Sequence, residues 1–208
     1  MELLPTPPPA ASAPPLDPNP SAPLSELPAG WRAVIRDFDA RVDRELDRLR
    51  GNPVADRIFY WATELGDFGL LWHLIGASRG LRDESRGKEA LRLTGVLALE
   101  SVLVNGIIKS FFRRHRPEWD QPRAHKIRRP RSSSFPSGHA SAAFTAATLL
   151  GDDDPLRPLY FGLAAVVATS RVYVKIHHAS DVVGGIATGL VLGQIVKRAG
   201  PRRKDPRR

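Results

Sequence analysis

Three residues in the C-terminal half of the sequence have the types and spacing of a catalytic group. His177 and Asp181 are four residues apart, so on a helical turn they share a face and Asp181 can accept a hydrogen bond from His177. A carboxylate held against one imidazole nitrogen fixes the tautomer and leaves the other nitrogen free to attack. The neighbouring His178 competes for this role, but it lies about 100° further around a helix and loses the carboxylate partner. His139 supplies a second imidazole, which predicts a proton-transfer group beside the nucleophile.

Five further residues could hold an anion. Lys109, Arg116 and Arg171 are fixed cations; the planar fork of arginine matches phosphate oxygens, and lysine adds a point charge. Ser137 offers a hydroxyl, and Gly138 offers a backbone N–H at the start of a helix, where unsatisfied amides attract anions. Together with the imidazoles, these cations indicate a phosphoryl-transfer site that needs no metal. A metal site is the weaker interpretation, because no carboxylate cluster completes a coordination shell.

Five apolar segments must position these residues. They are Ile58–Ser78, Leu91–Phe112, His139–Leu150, Leu159–Val174 and Val182–Val196. No segment alternates with period two over the length of a strand, so we expect an all-α fold with almost no sheet. Successive helices of a bundle run in alternating directions, so the second segment ends, the third begins, the fourth ends and the fifth begins on the same side. The candidate residues lie at those four ends and should converge there.

The same segments favour a membrane protein. Only the first two approach the roughly 20 apolar residues that span a bilayer, and even these contain charged side chains. Gly185, Gly189 and Gly193 recur at four-residue spacing in the last segment, and small residues at that spacing let helices approach closely in lipid. We therefore expect a multi-pass helical membrane bundle of about five spans. A soluble all-helical domain is the alternative, because small residues also pack soluble helices.

The rest of the sequence divides into three parts. Residues 1–28 hold ten of the 19 prolines and are expected to form a disordered arm. Residues 29–56 are expected to form an N-terminal amphipathic helix and a linker, because apolar residues recur every three or four positions from Trp31 to Arg50. The helical domain that carries the site covers residues 57–198, and residues 199–208 form a basic tail.

Composition limits the partners and cofactors. The chain has 31 Lys+Arg against 22 Asp+Glu, a formal net charge of +9, which favours an anionic partner such as an acidic lipid surface or a phosphorylated substrate. No aromatic residues interleave with the basic ones as a single-strand stacking platform requires, so we expect no nucleic-acid partner. Cysteine is absent, which excludes thiol catalysis, iron–sulfur clusters and Cys-ligated zinc. We expect no cofactor.

Three stretches of the sequence together match a known pattern. They are residues 109–117 (KSFFRRHRP), 136–139 (PSGH) and 170–181 (SRVYVKIHHASD). In order and internal spacing they resemble the three-part signature of the type 2 phosphatidic acid phosphatase superfamily, which vanadium haloperoxidases and bacterial non-specific acid phosphatases share. With the helix pattern included, the resemblance covers about Ile58 to Val196.

The resemblance implies a role for each candidate residue. His177 would attack phosphorus and carry a phosphohistidine intermediate, and Asp181 would orient it. His139 would protonate the leaving alkoxide and then help to activate water. The phosphate oxygens would be held by Lys109, Arg116, Ser137, Gly138 and Arg171.

Two parts of the chain have no assigned role in that signature. Many membrane members carry an additional helix before the segment that matches Ile58–Ser78, and here the Pro-rich arm and the amphipathic helix take its place. The basic loop from Arg113 to Arg131 could gather anionic lipid headgroups or a diphosphate, or it could simply be a solvated basic loop.

The sequence thus predicts a metal-independent phosphatase that acts on a lipid-linked phosphate monoester or diphosphate, of the phosphatidic acid, phosphatidylglycerol phosphate or polyprenyl phosphate class. Two alternatives stay open: a soluble-type acid phosphatase or vanadate-dependent peroxidase with the same site, and a non-enzymatic basic membrane protein that binds anionic lipid. We expect a multi-pass protein of the cell membrane. With the three site cations set aside, 15 Lys+Arg fall on the site side and 13 on the other, so the positive-inside rule leaves the orientation open. The sequence does not indicate an oligomeric state.

Overall fold

The computed structural model describes residues 27–118, 127–128, 130, 132–152 and 154–199. Over these residues the chain forms helices and loops and contains no strand, which confirms the predicted all-α class. The helices are α1 Ala29–Asp47, α2 Pro53–Gly66, α3 Leu70–Gly80, α4 Glu84–Ser101, α5 Gly138–Leu150, α6 Arg157–Tyr173 and α7 Ala179–Ala199. The predicted Pro-rich arm and basic tail lie almost wholly outside the described residues.

Helix α1 is the expected amphipathic helix, and it ends at Asp47, slightly before the predicted end. The chain then turns through Gly51, whose φ is +85°. The side chain of Asn52 accepts hydrogen bonds from two backbone N–H groups in the first turn of α2, at 2.9 and 3.2 Å, and Pro53 takes the first helical position. The same three residues, Gly51 to Pro53, therefore end the turn after α1 and begin α2.

The first apolar segment, Ile58–Ser78, is not one continuous helix. A 3₁₀ turn, Asp67–Gly69, separates α2 from α3, and within it Phe68 and Gly69 have φ values of +53° and +69°. A right-handed helix needs negative φ at every residue, so it must stop here. The break places a carboxylate, that of Asp67, at a turn inside an otherwise apolar stretch.

Helix α4 changes its winding before it ends. A π turn, Val102–Ile107, continues the α-helix, and a 3₁₀ turn, Ile108–Phe111, closes it. Lys109 lies in that last turn, at the end of the second apolar segment as predicted. Short π segments inside α-helices are rare and occur frequently at functional sites.

Helix α1 packs against α6 and α7. Its Val42 and Leu46 contact an apolar cluster that includes Val172. Arg50 then donates hydrogen bonds from Nε to the carbonyl oxygen of Tyr173 (2.8 Å) and from Nη2 to that of Val172 (2.9 Å). These bonds satisfy backbone acceptors that the C-terminal end of α6 would otherwise leave unpaired.

Helix α5 lies at the centre of the bundle, and its Ala140 and Ala143 are completely buried. Helix α7 runs closely against it. A Cβ atom added to Gly189 would overlap the carbonyl oxygen of Ser141, and one added to Gly185 would overlap the carbonyl oxygen of the residue that caps α5. The predicted repeat of small residues thus allows the close contact between these two helices.

We expect the Gly189→Ala variant to be less stable than the wild type by about 1–3 kcal/mol, because the new methyl group must displace the backbone of α5. Gly162→Ala is the matched control: Gly162 is also helical and exposed, and its added Cβ meets nothing within 4 Å. The measurement is thermal unfolding in detergent. Gly162→Ala should be neutral or stabilising by up to about 1 kcal/mol, and equal effects of the two substitutions would contradict the packing.

Candidate active site

A cavity of about 560 Å³ opens between α4, α5 and the turn that joins α2 to α3. Its wall includes five of the eight predicted site residues: Lys109, Gly138, His139, Arg171 and His177. These residues come from all three motifs. The structure therefore brings the three sequence stretches together at one place, and the remaining three predicted residues lie directly behind them.

His177 lies in the loop between α6 and α7 and is almost completely buried. Its backbone N–H donates to the carbonyl oxygen of Arg171 at 3.1 Å. Its Nε2 atom lies 3.2 Å from Nη1 of Arg116, and that same nitrogen donates to the carbonyl oxygen of Ile176 at 2.9 Å. Arg116 is thus fixed beside the imidazole nitrogen that is available for chemistry.

The contact between His177 and Asp181 is looser than the sequence predicted. Nδ1 of His177 lies 3.6 Å from Oδ2 of Asp181, which is longer than a hydrogen bond. The reason is that His177 precedes α7 and does not occupy a helical turn with Asp181. Oδ2 of Asp181 instead accepts bonds from the hydroxyl of Ser134 and from the backbone N–H of His178, the latter at 2.8 Å. The carboxylate still faces Nδ1 and leaves Nε2 toward the cavity side.

Ser137 and Gly138 form the start of α5, as predicted. The Ser137 side chain caps the helix by accepting from the backbone N–H of Ala140 at 3.5 Å, and its own N–H donates to the carbonyl oxygen of Asp181 at 3.0 Å. Ser137 is completely buried and is not part of the cavity wall. Gly138 is part of that wall, and a Cβ added to it would approach Oδ1 of Asn105 to 2.8 Å. A residue with a side chain at this position would have to displace the Asn105 amide.

His139, in the first turn of α5, faces a partner that the sequence analysis missed. Its Nε2 lies 2.9 Å from Oδ1 of Asp67, in the turn between α2 and α3. A Cβ added to Gly66 would come within 2.8 Å of the His139 ring, so the backbone of α2 lies against the imidazole. A carboxylate inside an apolar segment was the signal that could have identified Asp67 as a site residue.

Lys109 and Arg171 bring two buried positive charges to the same cavity. Their exposed fractions are 6% and 1%, respectively. Nη1 of Arg171 donates to the hydroxyl of Thr63, which holds the guanidinium in place. Buried charges act through a lower dielectric than water, so they attract an anion more strongly than surface cations do.

Asp181 is itself held by a network that reaches α1. Arg114 donates from Nη1 to Oδ1 of Asp181 at 2.6 Å and from Nη2 to Oδ2 of Asp39 at 2.6 Å. Asp39 also accepts from the backbone N–H and the hydroxyl of Ser180, at 2.7 and 2.8 Å. A residue of the N-terminal amphipathic helix is therefore linked through one arginine to the carboxylate that faces His177.

Neither partner in this network was among the predicted site residues. Arg114 was expected only as part of the basic loop, and Asp39 was given no role. The available signal was periodicity: Asp39 precedes Val42 by three residues and Leu46 by seven, so it lies on the packed face of α1. A carboxylate on such a face requires a buried partner.

The surroundings of His177 keep its imidazole neutral. Burial lowers the pKa of His177 to about 3; the Asp181 carboxylate opposes this effect, and the cations Arg171 and Arg116 reinforce it. At neutral pH the ring therefore carries a free lone pair. Among the described residues, no group of three or more His, Asp or Glu side chains could hold a metal ion.

A helical bundle with a buried cavity that combines a neutral imidazole, a second imidazole and fixed cations has the composition of a phosphoryl-transfer enzyme. The family model of the PAP2 superfamily matches residues 89–205. The chain belongs to the PAP2 superfamily, which confirms the resemblance carried by the three motifs.

Several characterised relatives are phosphatases of lipid-linked phosphates. The chain is 32% identical over 147 residues to the decaprenylphosphoryl-5-phosphoribose phosphatase of Mycobacterium tuberculosis. The aligned residues cover 70% of this chain and 81% of that protein. It is 34% identical over 107 residues to the phosphatidylglycerophosphatase B of Bacillus subtilis, covering 46% and 50% of the two chains.

Two solved structures have a similar fold. One is a transmembrane PAP2 type phosphatidylglycerolphosphate phosphatase from Bacillus subtilis, with a TM-score of 0.62 and 26% identity over 82% of this chain and 90% of that one. The other is LpxE from Aquifex aeolicus, with a TM-score of 0.62 and 27% identity over 76% and 94%.

We expect the His177 imidazole to remain neutral down to at least pH 5, because burial and two neighbouring cations disfavour its protonation. The measurement is nitrogen NMR of histidine-labelled protein in detergent over pH 8 to 5, with the His177→Asn variant to assign the signals. Chemical shifts that report protonation of His177 near pH 6.5 would contradict this environment.

We expect Asp39→Asn to lower kcat by about 10- to 100-fold with little change in KM. The amide still accepts from Ser180 but no longer faces Arg114 with a charge, and a charged hydrogen bond is worth about 1.5–3 kcal/mol. Asp37→Asn is the matched control, because Asp37 is an exposed carboxylate on the same helix. A rise in KM with kcat preserved would show that Asp39 does not act through the nucleophile.

Proposed function

We propose that this protein is a membrane lipid phosphatase that hydrolyses a lipid-linked phosphate monoester or diphosphate through a phosphohistidine intermediate, without a metal. The observation that carries the proposal is the position of His177: its Nε2 lies 3.2 Å from Arg116, on a cavity that Lys109, Arg171 and His139 also line. A phosphoryl group bound by these cations has a neutral imidazole nitrogen beside it.

In the first half of the reaction, Nε2 of His177 attacks phosphorus. An N–P bond forms while the bond from phosphorus to the lipid-side oxygen breaks. The leaving oxygen takes a proton from the imidazolium form of His139, which the Asp67 carboxylate, 2.9 Å from Nε2, and the bound phosphate charge stabilise. Lys109, Arg116 and Arg171, with the N–H groups at the start of α5, offset the charge on the phosphoryl oxygens.

In the second half, a water molecule attacks the phosphohistidine. His139, now neutral, takes a proton from that water, and the N–P bond breaks. Inorganic phosphate leaves, and both histidines return to their starting states. Asp181 keeps Nδ1 of His177 oriented throughout, supported by Arg114 and Asp39.

The surface of the bundle supports a location in the membrane. Two helical stretches, Arg86–Phe111 and Ala179–Ala199, are long and apolar enough to cross a bilayer. Their large side chains face outward: Leu91, Leu99 and Ile195 are each more than half exposed. We propose that these two spans belong to a multi-pass bundle in the cell membrane. The α2–α3 segment, α5 and α6 would be the other spans, giving about five in all. The orientation of the site across the membrane is left open.

The relatives support a lipid substrate. They include phosphatases of decaprenylphosphoryl-5-phosphoribose, of phosphatidylglycerophosphate and of lipid A. These substrates share a phosphate ester on a membrane-anchored headgroup. We propose the same class here, with polyprenyl-linked phosphates first, because that relative matches the largest share of both chains among these three.

The test is phosphate release by purified protein in detergent, in the presence of EDTA, from a panel of lipid phosphates. We expect His177→Asn to reduce the rate by at least about a thousandfold, since the nucleophile is lost. His178→Asn is the matched control: Nε2 of the neighbouring imidazole lies 3.3 Å from the backbone oxygen of His115, and the residue is not part of the cavity wall, so it should be dispensable. Full activity in His177→Asn would overturn the proposal.

The same preparation separates the rival functions. A soluble-type acid phosphatase or peroxidase would remain in solution without detergent after cell fractionation. A non-enzymatic lipid-binding protein would bind anionic vesicles without releasing phosphate, and the double variant His139→Ala and His177→Ala would bind them equally well.

A further inference from the structure

One carboxylate of the cavity has no role in the reaction described above. Glu100 lies on α4, is 4% exposed and forms part of the cavity wall with the site residues. Among the residues that the structure describes, its buried Oε1 atom has no hydrogen-bond partner, although the Ser141 hydroxyl and the Lys109 ammonium lie near enough to interact with the carboxylate. An unpaired buried acceptor costs about 1–3 kcal/mol, so a structure retains one where something else supplies the donor.

The winding of α4 is what brings Glu100 to this cavity. Glu100 and Lys109 are nine residues apart, and nine residues of regular α-helix rotate by about 900°, which would place them on opposite faces. The π turn Val102–Ile107 lies between them and unwinds the helix, because each of its residues rotates less than an α-helical residue does. Both side chains consequently line the same cavity.

The chemistry around Glu100 limits what can bind it. A carboxylate repels a phosphate group, so the phosphoryl oxygens belong with Lys109 and Arg171, away from Glu100. An ammonium group would be attracted by Glu100 and repelled by those cations. A neutral hydroxyl donates to the carboxylate without either conflict.

The cavity wall also includes uncharged polar side chains, Asn105, Ser101 and Thr94, together with apolar ones such as Leu97 and Ala142. Nδ2 of Asn105 donates to the hydroxyl of Ser101 at 3.2 Å, and Nδ1 of His73 lies 3.2 Å from the hydroxyl of Thr94. These groups retain further donor and acceptor capacity. The polar side chains of this wall are therefore able to bind a hydroxylated group beside Glu100.

We propose that Glu100 is the central acceptor of a subsite for the free hydroxyl groups of the substrate headgroup, so that the protein prefers lipid phosphates whose phosphate is carried by a sugar or polyol. This inference rests on the proposed phosphatase function and specifies the substrate class of the same site. Such a subsite would discriminate against phosphatidic acid and plain polyprenyl phosphates, because these lipids present no hydroxyl beside the phosphate.

The test compares two substrates that differ only in those hydroxyls. One is a polyprenyl-linked 5-phosphoribose, and the other is its 2,3-dideoxy analogue, both in the same detergent micelles. We expect the wild type to have a kcat/KM at least about tenfold higher for the hydroxylated lipid, because a site built to bind a hydroxyl discriminates against an analogue that lacks it.

Glu100→Gln is the informative variant. We expect it to lower kcat/KM for the hydroxylated lipid by at least about tenfold and to leave the dideoxy lipid within about threefold, so that the preference disappears. Glu64→Gln is the matched control, because Glu64 is an exposed glutamate on α2. It should retain the wild-type preference. Thermal unfolding checks that both variants are folded.

An equal loss on both lipids would mean that Glu100 acts only by compensating the charge of Lys109, and would overturn the subsite. So would a wild type that hydrolyses both lipids equally well; this comparison stands even if Glu100→Gln does not fold. A wild type that releases phosphate from neither lipid, nor from the wider panel, would instead overturn the phosphatase function itself.

Discussion

Three cations must be held around one cavity although their charges repel one another. Lys109 and Arg171 are almost fully buried, so water does little to screen them. Arg116 is fixed by backbone carbonyl oxygens on two sides of the site. Carboxylates offset part of this charge, with Asp67 and Glu100 in the cavity wall itself. The remaining positive charge is directed to the space between these side chains, which suits a doubly charged anion such as the phosphoryl group proposed as the substrate.

The rest of the bundle serves to keep those charges in place before the substrate arrives. The close contact of α5 with α7, allowed by Gly185 and Gly189, sets the start of α5 against the start of α7. The hydrogen bond from Ser137 N–H to the Asp181 carbonyl ties the second motif to the third. Arg50 binds the backbone at the end of α6, from which the chain enters the His177 loop. A site fixed in this way needs little reorganisation as charge develops.

The sequence was sufficient for the all-helical fold class and for the convergence of the three motifs on one cavity, because helix ends in an alternating bundle must meet on one side. It could not reveal contacts that depend on how elements dock. Asp39 reaches the site only because α1 packs on α7, and Asp67 only because positive φ values interrupt an apolar segment. Glu100 enters the cavity because of a π turn that residue periodicity does not predict. In each case a charged residue on an apolar face was the visible signal, and its partner was not.

The central claim is that residues from three separate stretches surround a single tetrahedral phosphoryl group. The most direct measurement is an experimental structure of the protein with orthovanadate, which takes the geometry of phosphorus under attack. The account predicts vanadium bonded to Nε2 of His177, with its oxygens contacted by Lys109, Arg116 and Arg171 and with His139 opposite the nucleophile. Vanadate bound away from His177, or contacted by residues of only one of the three stretches, would contradict it.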